Sequence, residues 1–292
     1  MSITPPEGTS QEAKSRGSEI RFAFGKNWQR FLQCLGDERI AEAEKSLRLM
    51  LEAENLHGKS FLDIGCGSGL FSLAAMRLGA AQVHSFDYDL QSVACTRELK
   101  QRYFQNASTW TIEQGSVLDE TYLPSLGTFD FVYSWGVLHH TGNMWRALEN
   151  VVGLVETEGK LFIALYNDED IYSRFWRRVK RSYSSSAIWR VPILAAFGSV
   201  LILRGLLKDV FFLRKNPLTR YTQYKKSRGM SYFTDLIDWL GGYPYEVANP
   251  GEVFDFFRKK GFELVRLKTV GRGNGCNEFV FRRRLPLSAP RS

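Results

Sequence analysis

"KSFLDIGCGSGL", Lys59 to Leu70, is the stretch on which the reading of this chain turns. Phe61, Leu62 and Ile64 read as a buried strand, and Gly65, Gly67 and Gly69 then break it into a tight turn. A helical run, "LFSLAAMRLGA", follows at once. Strand, glycine turn and helix in that order aim the unpaired N–H groups of a helix start at whatever fills the turn, and glycine lets a ligand come close. The dinucleotide pattern is G-x-G-x-x-G. Here the spacing is G-x-G-x-G, with Leu70 where the third glycine would stand. Twenty-two residues after Gly65, Asp87 ends "QVHSFD", a position suited to accept two ribose hydroxyls. Asp63 is a second candidate acid, with holding the glycine loop through backbone N–H groups as its alternative task.

Strands and helices continue to alternate outward from this turn. "QVHSFD", "STWTIEQG", "FDFVYSW" and "GKLFIALYN" read as strands, with "LQSVACTRELKQRYF" and "NMWRALENVVGLV" as helices between them. That rhythm predicts an α/β fold whose largely parallel sheet carries helices on both faces. It stops at Asp168 and returns at "PGEVFDFFRKKG", a proline-started helix before two last strands, "FELVRLKTV" and "NEFVFRRR". The chain thus divides into a disordered tail (1–19), a core with N-terminal helices (20–167), a helical insertion (168–249) and a closing helix and strands (250–285). Ahead of the core, Phe24, Trp28 and Phe31 fall on one helix face, expected to form a lid or part of the core.

Charge is concentrated in the insertion. Ile171 to Arg228 holds fourteen Lys and Arg against one acid, Asp209, a net of +13; as the chain totals +8, the remainder carries −5. Such asymmetry predicts an anionic partner at one face, a solvated helical face being the alternative. Within "YSRFWRRVKRSY", Arg177, Arg178, Lys180 and Arg181 are the expected basic surface. The apolar run behind them, Val191 to Leu203, has thirteen residues, whereas a spanning helix needs about 17–25. A buried or interfacial helix is therefore expected, against a membrane surface or as a cap on the domain. Cys34, Cys66, Cys95 and Cys276 are scattered, which argues against a disulfide framework or a structural metal and for a reducing compartment. No apolar stretch opens the chain, so a cytoplasmic location is expected, at the inner face of the membrane if the insertion docks there.

"FLDIGCGSG", "SFDYD", "EQGSVLD" and "FDFVYSWGVLHHTGN" together resemble the four motifs of class I S-adenosylmethionine-dependent methyltransferases, with a general likeness to the small-molecule O-methyltransferases of ubiquinone biosynthesis. The resemblance implies a Rossmann-like seven-stranded sheet and S-adenosylmethionine as cofactor. It assigns Asp63, Gly65, Gly67, Gly69, Asp87, Ser116, Val117 and Trp135 to the cofactor site, with Ser116 and the Val117 backbone at the adenine. Ser116 stands where many relatives have Asp, and a hydroxyl can still bond an adenine amine. His140 of "HHTGN" lies where the family carries a histidine and is the candidate general base; His139 is its packing neighbour, and a structural role for both is the other reading.

"DLIDWLGGYPYE", Asp235 to Glu246, packs Trp239, Tyr243 and Tyr245 around a glycine pair and a proline, a composition expected to wall an acceptor pocket. Asp238 and Glu246 are expected to orient hydroxyls or cap helices, and "GRGNGCNE" is expected to bring Asn274, Asn277 and Glu278 to the same rim. The resulting expectation is a methyltransferase for a small-molecule or lipid-linked acceptor, most readily at oxygen, with an anionic membrane surface as partner and no metal. Three rivals stand beside it. A nicotinamide oxidoreductase is disfavoured by Leu70, and RNA methylation by the apolar centre of the insertion. The third is a non-catalytic membrane-binding protein that keeps the fold.

Overall fold

The structure is a computed structural model that describes residues 25–33, 35–207, 210, 232–271 and 275–284. The expected tail, Phe24, Asn274 and residues 211–231 of the basic stretch lie outside the described residues.

Seven strands form one sheet in the order β3-β2-β1-β4-β5-β7-β6. β1 (Ser60–Ile64), β2 (Gln82–Asp87), β3 (Trp110–Gln114), β4 (Phe129–Trp135) and β5 (Val155–Tyr166) run parallel. β6 (Phe262–Lys268) and β7 (Cys276–Arg283) close the sheet, β7 antiparallel to both its neighbours. This is the expected α/β, Rossmann-like class I methyltransferase architecture. The order reverses between β1 and β4, which opens a crevice at the carboxyl ends of those strands.

Successive strand residues feed opposite layers, as a pleated strand requires. Leu62, Ile64 and Val132 join the layer of α5 (Met144–Val152) and α9 (Pro250–Lys259). Phe61, Val83 and Tyr133 join the layer of α2 (Asp37–Leu51), α3 (Leu70–Arg77) and α4 (Leu90–Tyr103). Both layers are built of buried apolar side chains, so the parallel strands read as continuous apolar runs. Helix starts are specified locally as well. Asn249 and Glu252 form a reciprocal capping box around Pro250, and the Asp89 side chain accepts from the Gln91 N–H at 2.9 Å to start α4. α1 (Gly25–Gln33) lies against α4, where Arg102 donates to the Leu32 carbonyl at 3.1 Å.

Between β5 and α9 stand α6 (Ile171–Ser185), α7 (Ala187–Leu207) and α8 (Tyr232–Gly241). They share a small core of Tyr183, Leu236 and Leu240, with Trp176, Phe197 and Trp239 packed on it. α7 is longer than its apolar run: 21 residues, with Pro192 inside it. Arg190 and Arg204 bound the run in sequence without ending the helix. It is also not the buried helix that one reading of the run expected, because Ile188, Val191 and Leu203 are exposed.

Candidate active site

Gly65, Gly67 and Gly69 all take positive φ, which side-chain-bearing residues rarely adopt. The turn is also closely packed. A Cβ on Gly65 would lie 2.4 Å from the Val137 side chain, and one on Gly69 2.7 Å from Thr96. Glycine is thus required to keep this cradle at the carboxyl end of β1. Asp87, at the end of β2, fixes the cradle from the side: its Oδ2 accepts from the Gly67 N–H at 3.0 Å and its Oδ1 from the Asp89 N–H at 2.9 Å. Burial pushes its carboxyl up to about 6. A carboxylate beside a glycine turn that admits backbone approach fits the ribose and amino-acid portions of S-adenosylmethionine.

Asp63 is only 2 % exposed, so solvent does little to relieve its charge. Its Oδ2 accepts from the Ser72 hydroxyl at 2.5 Å, the Ser72 and Ser85 oxygens are 2.7 Å apart, and Trp110 Nε1 donates to Ser85 at 2.9 Å. The directions follow: Ser72 donates its one proton to Asp63, so Ser85 donates to Ser72 and accepts from the indole, which can only donate. This relay crosses β3, β2, α3 and β1. Burial pushes the Asp63 carboxyl up to about 7, and the charge of Asp87 adds to the rise. The sequence offered no sign of the relay beyond Ser72 and Ser85, two small polar residues among the apolar ones of α3 and β2.

Ser116 and Val117 follow β3 in the loop beside Asp87, where Gly115 N–H donates to the Asp87 carbonyl at 3.0 Å. Ser116 Oγ accepts from the Leu118 N–H at 3.2 Å, and the Val117 side chain is buried while its carbonyl accepts from Asn150. Trp135 ends β4 with 45 % of its surface exposed. These groups, with the glycine turn and Asp87, therefore leave the same ends of four adjacent strands. Trp28 covers the turn from above: a Cβ on Gly67 would meet its indole at 3.0 Å. Phe31 stands edge-on to Trp28, with centroids 6.0 Å apart.

His140 sits in the short helical turn after β4, and its Nδ1 is 2.6 Å from the Pro244 carbonyl. A carbonyl can only accept, so Nδ1 carries the proton and the lone pair of the neutral ring lies on Nε2. Burial pushes this imidazole down to about 4, so it is neutral at pH 7. His139 is buried, accepts from the Tyr166 N–H at 3.4 Å and lies tilted against the Tyr166 ring with centroids 4.0 Å apart, which is a structural task.

Several expected pocket residues are placed otherwise. Tyr245 is buried, 5.2 Å from the Tyr166 ring, and its carbonyl accepts from Arg177. Trp239 turns into the small core of the insertion, edge-on to Trp176 at 4.2 Å. The cause is Lys180, which is not part of a basic surface: it is fully buried, donates to the Trp239 carbonyl, and lies 4.6 Å and 5.2 Å from the Trp239 and Tyr245 ring centroids. A buried ammonium needs such partners, and burial pushes it down to about 7. Asn277 is buried too, donating to Asn167 at 2.9 Å and accepting from Val270 N–H at 3.1 Å, so it pins β7 to its surroundings. Glu278 pairs with Lys268 at 3.0 Å. Tyr243 remains half-buried at the tip of the segment. Glu246 caps α5, its carboxylate accepting from the Met144 N–H at 3.0 Å.

Residues 62–161 match a family model described as a methyltransferase domain. Among curated proteins, the chain is 28% identical over 185 residues to the tRNA U34 carboxymethyltransferase of Methylococcus capsulatus, covering 63% of this chain and 55% of that one. It is 28% identical over 193 residues to the tRNA U34 carboxymethyltransferase of Geobacter sp. strain M21, covering 66% and 58%. The chain thus spans little more than half the length of these relatives. Among solved structures, the magnesium protoporphyrin IX methyltransferase of Synechocystis PCC 6803, with bound SAH, matches with a TM-score of 0.52 at 15% identity, covering 88% of this chain and 94% of that one. Residues 62–161 thus match a methyltransferase domain, and the fold is the one that class I S-adenosylmethionine-dependent methyltransferases share. The matched segment, 62–161, contains the glycine turn, Asp87, Ser116, Val117, Trp135 and His140.

Proposed function

We propose that this domain transfers a methyl group to a hydroxyl of a small-molecule or lipid-linked acceptor that enters over the β4–β5 rim. The cofactor, when bound, supplies an electrophilic methyl on a sulfonium. The chain supplies position: the glycine turn and Asp87 hold the nucleoside end, and the rim orients the acceptor. Alignment of this kind is worth roughly 7–11 kcal/mol in well-ordered intramolecular reactions. His140 takes the hydroxyl proton at Nε2. A ring of low basicity suffices there, because the acceptor O–H becomes acidic only as its oxygen bonds to the methyl carbon. The observation that carries this reading is the Asp87–Gly67 cradle at the switch point of the sheet.

A second reading is RNA methylation. It is favoured by the names of the curated relatives and by the arginines on α6. Transfer of labelled methyl from S-adenosylmethionine to extracted lipids and metabolites, set against transfer to bulk tRNA, separates the two. Label in tRNA alone would replace the first reading with the second.

The cradle is tested by binding. Asp87→Ala removes an acceptor for two hydroxyls, each charge-assisted bond worth about 1.5–3 kcal/mol. Calorimetry with S-adenosylhomocysteine should show affinity at least about tenfold lower in a variant that remains folded. His140→Ala should keep that affinity and lower turnover by about 10²-fold. Full turnover in the histidine variant would leave alignment as the whole of the catalysis.

A further inference from the structure

Ile188–Leu207 in α7 is the one helix among the described residues long and apolar enough to cross a bilayer, and only 6% of that window is buried. Ile193, Leu194 and Phe197 pack on the small core of the insertion. Other apolar residues of the helix look outward: Ile188 is 81 %, Val191 74 % and Leu203 57 % exposed. α6 lies alongside, Phe175 meeting Phe197 at 6.2 Å. Arg174, Arg178 and Arg181 are exposed at i, i+4 and i+7 on one face of α6, interleaved with exposed Ile171 and Phe175. Exposed apolar surface of this extent needs an occupant.

Chain topology decides how α7 lies. α6 and α8 pack against each other and against α7, so both ends of α7 belong to one side. Residues 208–231 hold seven Lys or Arg, which leaves no apolar stretch of about 20 residues for a return crossing. A single pass would tear α8 from α6. We propose that α7 lies in the plane of an anionic phospholipid surface, its outer face among the acyl chains, with the α6 arginines at the headgroups. A second copy of the chain is the poorer occupant, because a two-fold contact would set the same arginines against one another. An RNA phosphate would leave the exposed Ile188, Val191 and Leu203 of α7 uncovered.

Flotation with vesicles tests this, using phosphatidylcholine alone and phosphatidylcholine mixed with phosphatidylglycerol. The full chain should float with the mixed vesicles at low salt and much less with neutral ones or at high salt. An alkaline carbonate wash should release it. Replacing Arg174, Arg178 and Arg181 with Gln should weaken binding by about fivefold for each arginine. Val200→Glu with Leu203→Glu, both at exposed positions, should abolish it. S-adenosylhomocysteine affinity should stay unchanged in both variants, which separates failure of docking from failure of the cofactor site. Absence of flotation at low salt, equal flotation with both lipids, or undiminished flotation of the glutamate variant would overturn the proposal. So would retention through carbonate. A dimer in solution that the glutamate variant dissolves, without flotation, would assign α7 to a second copy instead.

Discussion

Asp63 and Asp87 flank the glycine turn, and burial holds both carboxyls far above their ordinary range, at about 7 and about 6. Each therefore destabilises the ligand-free fold when ionised. Their stabilising contribution is full below the unfolded carboxyl range and is lost as pH rises through 6 to 7. A bound cation and hydroxyl donors favour the ionised forms, so cofactor binding should pull both values down and expel protons. Calorimetry near pH 6, in buffers of different ionisation enthalpy, should register release of about half a proton or more, reduced in Asp63→Asn. Affinity should climb between pH 5 and 7 and then level off. Proton uptake on binding would contradict the assignment. Both acids stand out in the sequence because acids at the ends of apolar strands require a reason. The Ser72–Ser85–Trp110 relay does not, since it joins residues of α3, β2 and β3 that only the packing of the helix on the sheet brings together.

At the scale of elements, the segment 243–246 is a latch. His140 Nδ1 donates to Pro244, the Glu246 N–H donates to the His139 carbonyl at 3.0 Å, and the Glu246 carboxylate caps α5. The aromatic content of "DLIDWLGGYPYE" predicted a wall around an acceptor. Trp239 and Tyr245 instead face Lys180, a residue whose burial no charge count reveals. Glu246 then carries the attachment of the insertion to the rim. A carboxylate at a helix N-terminus contributes about 0.5–2 kcal/mol. Glu246→Ala should lower the melting temperature by a few degrees and, by loosening His140, reduce turnover several-fold. Cofactor affinity should not change, because Glu246 bonds His139 and Met144 while Asp87 holds the glycine turn. Unchanged turnover in a measurably destabilised variant would make the latch purely structural.

For the whole molecule, the alternation of apolar strands and helices was enough to predict a largely parallel sheet covered on both faces, while the order of its strands came only from the structure. The insertion was legible as a charge anomaly and not as a shape. Counting an uninterrupted apolar run stops at Arg190 and Arg204, whereas a helix stops only where its backbone hydrogen bonds do, and α7 runs from Ala187 to Leu207. The basic count likewise mixed exposed arginines with the buried Lys180.

The latch has a kinetic consequence for a domain seated as proposed. α7 packs on α8, α8 leads into the segment that grips His140, and that segment is fastened to the rim, so the orientation of the mouth relative to the bilayer is set by packing. Encounter with an acceptor carried by the same leaflet becomes a lateral, two-dimensional search. Turnover would then follow the mole fraction of acceptor in the leaflet, and diluting it with inert lipid at constant bulk concentration would slow the enzyme.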